Sequence, residues 1–270
     1  MNQTPVQNNE RIALVTGATG GIGYDLAECF ARDGYDLVLV ARRAHELTTI
    51  AERFSQQYRV RVETIVVDLS ETNAAAQVVA ELEQRGITVD ILVNNAGYAQ
   101  FGAFVETDLD AELRMMQLNM VTLTHLTKLL LPAMIAHGWG KILNVASTAA
   151  FMPGPLMAVY YATKAYVLSF SEALGEELRD TGVTVTALCP GPTQTGFQAR
   201  AQMQDSKLVR GRAIMDSATV AREGYLALMA GKPLVIPGFK NKLQAVAPRF
   251  MPRRIVPATV RRAQSRTGSH

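Results

Sequence analysis

The feature that constrains this chain most is an alternation. Short apolar runs, RIALVTG (11–17), DLVLVA (36–41), VETIVVD (62–68), DILVNNAG (90–97), KILNVAS (141–147) and VTVTALC (183–189), are separated by longer segments with helical periodicity. After the first run, Ile22, Leu26, Ala27 and Phe30 fall at helical spacing and the segment stops at Gly34. Helices are expected likewise over HELTTIAERFSQQY, over 71–85, 108–136 and 156–180, and PLVIPG (233–238) reads as a last edge strand. Strands that alternate with helices pair in parallel through helical crossovers, so the expected fold is α/β with a doubly wound sheet.

With 270 residues, 48% of them apolar, there is material for one large domain with a real core. No linker divides the chain. A dinucleotide-binding and catalytic domain is expected over 1–240, followed by a basic C-terminal extension over 241–270. Residues 190–215 mix proline, glycine and polar residues, and 190–230 is read as a substrate loop or lid. The start, MNQTPVQNNE, has neither the basic nor the apolar region of a secretory signal. The run LLLPAMIAHGWGKILNVA is interrupted by Pro132, His137 and Lys141, so no spanning helix is expected and a cytoplasmic protein is. Cys29 and Cys189 match no metal or disulfide framework, and the four histidines are scattered, so no metal site is expected.

Charge is distributed unevenly. After Glu223 there is no acid but nine of the 27 lysines and arginines, so the rest carries 18 bases against 24 acids, a charge of −6. The basic tail, with Phe250, Met251, Ile255 and Val256 interleaved, suits weak contact with an anionic membrane surface or packing in an oligomer. No recognition motif accompanies it, so nucleic-acid binding is not expected.

The first strand runs into TGATGGIG, Thr16 to Gly23, and a helix begins at once. Glycines there permit a tight turn and let backbone N–H groups approach a pyrophosphate at the helix N-terminus, where the dipole favours anions. The spacing of Gly17, Gly21 and Gly23 is G-x-x-x-G-x-G. On the first strand of a βαβ repeat it points to a dinucleotide site.

The stretch AVYYATKAY (158–166) sets Tyr160, Tyr161 and Tyr166 around Lys164. On a helix, residues three and four apart share a face, so Lys164 can reach either Tyr160 or Tyr161, and geometry alone does not decide. Taken together, Thr16-Gly17-x-x-x-Gly21-x-Gly23, Asn94-Asn95-Ala96-Gly97, Ser147 and Tyr160-x-x-x-Lys164 resemble the short-chain dehydrogenase/reductase family over residues 10–240. The resemblance implies a Rossmann-type, mostly parallel sheet of about seven strands, a nicotinamide dinucleotide and a homodimer or homotetramer. It selects Tyr160 over Tyr161 and makes Ser147, thirteen residues earlier, its partner. Tyr160 is then the general acid/base, Ser147 polarises a carbonyl, and Lys164 holds the nicotinamide ribose and lowers the phenol pKa. Asn119 matches the family asparagine of a proton relay. Cofactor contacts are implied for Thr19 and Ile22 in the glycine turn, for Asp68 and Leu69 after the third strand, and for Asn95, Ala96 and Gly97. Pro190, Gly191, Thr193 and Thr195 match the segment lining the carboxamide. Ala146 stands where a serine is common.

A site selective for NAD presents an acid about 20 residues past the glycine turn. Here Arg42 and Arg43 stand there without a carboxylate beside them in sequence, and a guanidinium can grip a 2′-phosphate. The expected activity is therefore NADP(H)-dependent interconversion of a ketone or aldehyde with its alcohol, on a small apolar substrate. Phe101, Phe151, Met152, Pro192, Phe197 and Met203 are candidate pocket walls. Two other readings are a nucleotide-binding regulatory protein without turnover, which has no need of Ser147, Tyr160 and Lys164 together, and a reductase of lipid metabolism at a membrane surface.

Overall fold

In a computed structural model of the chain, residues 11–197 and 214–264 are described. The strands are β1 (Ile12–Thr16), β2 (Asp36–Ala41), β3 (Val62–Val66), β4 (Ile91–Asn94), β5 (Gly140–Val145), β6 (Val183–Leu188), the two-residue pair β7 (Thr193–Gln194) and β8 (Met215–Asp216), and β9 (Leu234–Val235). Seven of them form one sheet in the order β3-β2-β1-β4-β5-β6-β9, every pair parallel. This is a doubly wound Rossmann-type sheet, and PLVIPG supplies its edge as the sequence predicts.

Side chains leave a strand on alternate faces, so β1 sends Ala13 and Val15 into one core and Leu14 into the other. The first core is covered by α1 (Gly21–Arg32), α2 (Ala44–Tyr58) and α7 (Ser217–Met229). At its centre Phe30 is fully buried, edge-on to Tyr35 at 5.7 Å and to Tyr225 at 5.0 Å. The second core is covered by α3 (Ala74–Gln84), α5 (Leu123–Ala136) and the end of α6 (Ala158–Glu177). Residues 217–229 fall within the span read from the sequence as a lid. They form α7 instead, because Val220, Ala221, Tyr225 and Leu228 pack against α1.

The helical run expected from Asp108 to Ala136 is continuous but not uniform. Asp108 caps α4 (Leu109–Met116) by accepting from Ala111 N at 2.8 Å, a π-helical segment comes next over Gln117–Thr122, and α5 completes it. By length and composition this run is apolar enough to cross a bilayer. It nevertheless joins adjacent parallel strands, β4 and β5, and Leu123, Leu126, Leu130 and Met134 are buried beneath it. It is a crossover helix of the sheet. Beyond β9 come α8 (Phe239–Val246) and α9 (Val256–Gln264), the latter burying Val256, Val260 and Gln264.

Truncating Phe30 removes the ring that α1, β2 and α7 share. Phe30→Ala should lower unfolding stability by about 3–5 kcal/mol, read from the urea midpoint, with no loss of the helical CD signature at low denaturant.

Candidate active site

The order β2-β1-β4 places a topological switch between β1 and β4, which leaves a crevice beyond their carboxyl ends. Thr16 closes the bottom of that crevice. Its Oγ1 donates to Val93 O at 3.1 Å and accepts from Asn95 N at 2.9 Å and Ala96 N at 3.0 Å. Asn95 Nδ2 returns a bond to Thr16 O at 2.9 Å, so the glycine turn is tied to the end of β4. A Cβ on Gly23 would lie 2.3 Å from Asn95 Nδ2 and 2.5 Å from Gly17 O, so this glycine serves close packing of turn and helix rather than lining the cavity.

The turn fits a pyrophosphate. Gly17 (φ 68°) and Gly21 (φ 55°) hold left-handed conformations that side chains disfavour. A Cβ on Gly20 would meet nothing within 4 Å, so the backbone there is open to a ligand. No side chain caps the N-terminus of α1 and no acid lies in its first turn, leaving its N–H groups and dipole to an anion. The cavity above has a volume of about 270 Å³. Thr19, Ile22, Arg42, Arg43, Asp68, Leu69, Asn95, Ala96, Gly97, Pro190, Gly191, Thr193 and Thr195 all line it with Gly17 and Gly21.

The two arginines are not as free of carboxylates as their sequence neighbourhood suggests. Arg42 Nη1 lies 3.3 Å from Asp68 Oδ2, because β2 and β3 end side by side, and Arg43 Nη1 lies 2.7 Å from Glu46 Oε1, one helical turn on. Arg43 Nη2 also donates to Thr19 Oγ1 at 3.0 Å, across the glycine turn. Burial raises the Asp68 carboxyl, but bonds from Ser70 N and Oγ and the Arg42 guanidinium outweigh this and hold it below its usual range. Exposed pairs of this kind contribute about 0–1 kcal/mol and exchange readily for a better anion.

At the other end of the cavity Ser147, Tyr160 and Lys164 come together. Ser147 sits just past β5 and caps the short 3-10 turn Thr148–Phe151, its Oγ accepting from Ala149 N at 3.1 Å and donating to Pro190 O at 3.4 Å. Tyr160 and Lys164 sit on the first turns of α6, both buried, with Lys164 Nζ 5.8 Å from the Tyr160 ring centre. Lys164 Nζ donates to Val145 O at 2.7 Å. The expected lowering of the phenol is not what the protein alone produces. Burial drives Tyr160 well above the ordinary tyrosine value and only Ser147 opposes it, while burial brings Lys164 down to about 8.

Asn119 does not line the cavity but stands behind it, in the π-helical segment, buried. Its Oδ1 accepts from Tyr98 N at 3.3 Å, and its Nδ2 donates to Tyr98 O at 3.0 Å and Thr163 Oγ1 at 3.1 Å. A Cβ on Gly97 would lie 3.0 Å from Asn119 Oδ1 and 3.6 Å from Lys164 Nζ, so both approach the same bare Cα. Asn94 is turned away from the cavity, bonding Asn144 Oδ1 at 2.9 Å and Thr127 Oγ1 at 3.1 Å.

Of the expected pocket walls, Pro192 and Phe197 line the cavity, with Phe197 5.7 Å from the Tyr160 ring. Phe101 packs behind, in the cluster that holds Tyr160, whereas Phe151 packs into a separate cluster with Leu123 and Val167. Met152 is not among the lining residues, and Met203 lies outside the described residues. Sequence reasoning missed Met157, Tyr161 and Gln244 as lining residues. Tyr161 has a further partner, the side-chain amide of Gln264 at the end of α9, which no local signal announces.

A family model for short chain dehydrogenases matches residues 11–206. An uncharacterized oxidoreductase of Staphylococcus saprophyticus is 32% identical over 80% of this chain and 92% of its own length. A very-long-chain 3-oxoacyl-CoA reductase-A of Danio rerio is 34% identical over 66% of this chain and 56% of its own length. Among solved structures, a short-chain dehydrogenase from Sphingobium yanoikuyae in complex with NADPH is 34% identical, with a TM-score of 0.80 over 89% of this chain and 91% of that one. A bulky-bulky ketone specific alcohol dehydrogenase from Comamonas testosteroni is 31% identical, with a TM-score of 0.76 over 90% and 94%. The chain belongs to the short-chain dehydrogenase/reductase family of nicotinamide-dependent oxidoreductases acting on CH–OH groups.

The buried lysine carries a stability signature. A lysine whose folded pKa is depressed opposes folding while charged, fully below about 8, and the penalty is relieved as pH rises toward the unfolded value of 10.5. Lys164→Met should therefore gain stability relative to the native chain most at neutral pH, with the gain shrinking between those two values. Urea midpoints at stepped pH read this; a difference that stays flat across that window contradicts the assignment.

Proposed function

We propose that this protein is an NADP(H)-dependent carbonyl reductase that converts an apolar ketone or aldehyde to its alcohol and runs the reverse oxidation. The observation that carries this reading is one continuous cavity with the glycine turn and Arg42–Arg43 at one end and Ser147, Tyr160 and Lys164 at the other. Its walls at the reacting end, Ala149, Met157, Tyr161 and Phe197, favour an apolar substrate. The NADPH bound to one neighbour and the bulky ketones named for another support the same class.

The cofactor, when bound, supplies or takes the hydride. Gly17, Gly20, Gly21 and the start of α1 would hold its pyrophosphate, and Arg42, with Arg43 as second donor, would hold the 2′-phosphate. Asp68, Leu69 and the 95–97 backbone would serve the adenosine, and Pro190, Gly191, Thr193 and Thr195 the carboxamide.

The substrate oxygen sits between Ser147 Oγ, which polarises it, and the Tyr160 hydroxyl, which gives it a proton. A phenol raised by burial stays protonated at neutral pH, the form a reduction needs. Lys164 holds the ribose and, with its depressed pKa, passes protons toward Tyr160 from the side of Asn119, where Gly97 leaves the way clear. Reaction in the cytoplasm by a homodimer or homotetramer is part of this reading. The exposed Leu113, Val121, Leu129 and Tyr166 on α4 to α6 give such an assembly an apolar face.

Tyr160→Phe should lower kcat by at least about a hundredfold while NADPH still quenches or enhances protein fluorescence as in the native enzyme. Tyr161→Phe should stay within a few-fold, since its hydroxyl serves Gln264. Turnover of a bulky ketone, read through loss of reduced-cofactor absorbance, decides, and equal losses in the two variants refute the assignment. Charge-assisted bonds contribute about 1.5–3 kcal/mol each, so Arg42→Asp should shift the NADPH-to-NADH ratio of kcat/KM by at least about tenfold toward NADH. A native enzyme that prefers NADH overturns the cofactor reading.

A further inference from the structure

The helix after the sheet's last strand is built inside out. On α8, Asn241 and Ala245 face the protein: Asn241 packs on Gly191, where a Cβ would meet its Oδ1 at 2.3 Å, and Ala245 is buried. At about 100° per residue, Phe239, Leu243 and Val246 fall together on the opposite side. Phe239 is 81% exposed and Leu243 62%. Lys240 and Lys242 stand on either margin of that apolar stripe, both exposed. Past the helix, Phe250 is 84% exposed and Ile255 is exposed too, and Arg249, Arg253 and Arg254 close to them in the chain are also exposed. Among the described residues these five bases enter no ion pair. The apolar part of the basic tail is thus this outer face of α8 with Phe250 and Ile255, whereas Val256 and Val260 on α9 are turned inward.

We infer that this face docks on an anionic lipid bilayer. An apolar stripe narrow enough to be bordered by lysines within one helical turn matches an interfacial helix lying in the membrane plane, with its rings at the acyl boundary and its ammonium groups among the phosphates. A soluble partner buries such a stripe equally well, but it needs acids spaced to meet each base, whereas an anionic headgroup layer meets all five without register. Charge complementarity therefore favours lipid. The position gives docking a consequence. Gln244, between the stripe and the buried side of α8, lines the cavity, so the docked enzyme holds its mouth beside the lipid from which an apolar carbonyl compound would enter. Only that consequence rests on the proposed reaction; docking itself does not.

Sedimentation of the full chain with sucrose-loaded vesicles tests docking without any turnover. Vesicles of phosphatidylcholine alone are compared with vesicles containing roughly one third phosphatidylglycerol, at about 0.1 M and about 0.5 M salt. Binding is expected only with the anionic vesicles and should fall at the higher salt. Two double variants, Phe239→Ser with Leu243→Ser and Lys240→Glu with Lys242→Glu, should each weaken partition at least about tenfold. All four side chains are exposed, so the thermal melt of each variant should match the native chain. Three results would overturn the proposal: no binding to anionic vesicles beyond that to phosphatidylcholine, full binding by the serine variant, or a lipid-free assembly in light scattering that the serine variant dissociates, which would make the face a contact with a second copy.

Discussion

Everything at the active end depends on one seam, the contact of β1 with β4. These strands are neighbours in space although β2 and β3 lie between them in the chain. Where their carboxyl ends diverge, backbone groups lose ladder partners and must find others. Thr16 supplies them, its single hydroxyl engaging Val93, Asn95 and Ala96 at once, while the Asn95 amide reaches back to Thr16 and Gly17. The glycine turn is therefore held in shape from the far strand and not by its own sequence alone. Gly23 makes that closeness possible, since a methyl there would collide with both partners.

The same logic fixes the reacting groups. Asn94 Nδ2 bonds Asn144 Oδ1 across β4 and β5, and Asn144 Nδ2 bonds Ser171 Oγ on α6 at 2.9 Å. Asn119 bonds Thr163, again on α6, at 3.1 Å. The helix that carries Tyr160 and Lys164 is thus pinned by buried amides on the faces it turns to the sheet and to the π-helical segment. Buried amides are costly unless fully paired, so such a network admits few alternative positions for the helix. Asn119 stands within the π-helical segment and is turned inward to Tyr98 and Thr163.

The strand–helix alternation through the helix of Tyr160, the parallel sheet it implies and the cavity's glycine turn were legible because each rests on local periodicity or on glycine spacing; the strand order itself was not. Tyr160 and Tyr161 were not separable on periodicity, since both lie within reach of Lys164 and both line the cavity; only the family pattern distinguished them. What escaped the sequence depends on long-range contact. Asp68 meets Arg42 because a neighbouring strand delivers it, whereas Glu46 meets Arg43 locally, one helical turn on. The direction of the Tyr160 shift depends on how deeply the phenol is buried, which no spacing reveals. The span 217–229 looked like lid because it comes after a proline- and glycine-rich stretch, yet its apolar spacing matches the groove beside α1.

The tail shows how one short segment can face two ways. Gln264, fully buried at the end of α9, donates to the Tyr161 hydroxyl, and the Tyr161 ring in turn lies over Gly154, where a Cβ would stand 2.3 Å from it. The inner side of the tail is thereby joined to the residue next to Tyr160. The outer side of α8 presents rings and ammonium groups to the surroundings. Between the two, Asn241 rests on Gly191 and donates to Pro237 O at 2.7 Å. Asn241 thus joins α8 to the segment 190–195, most of which lines the cavity. For the docking inferred above, charge would set the orientation: up to Glu223 the chain carries 24 acids against 18 bases, after it nine bases and no acid, so an anionic surface would attract the tail rather than the body.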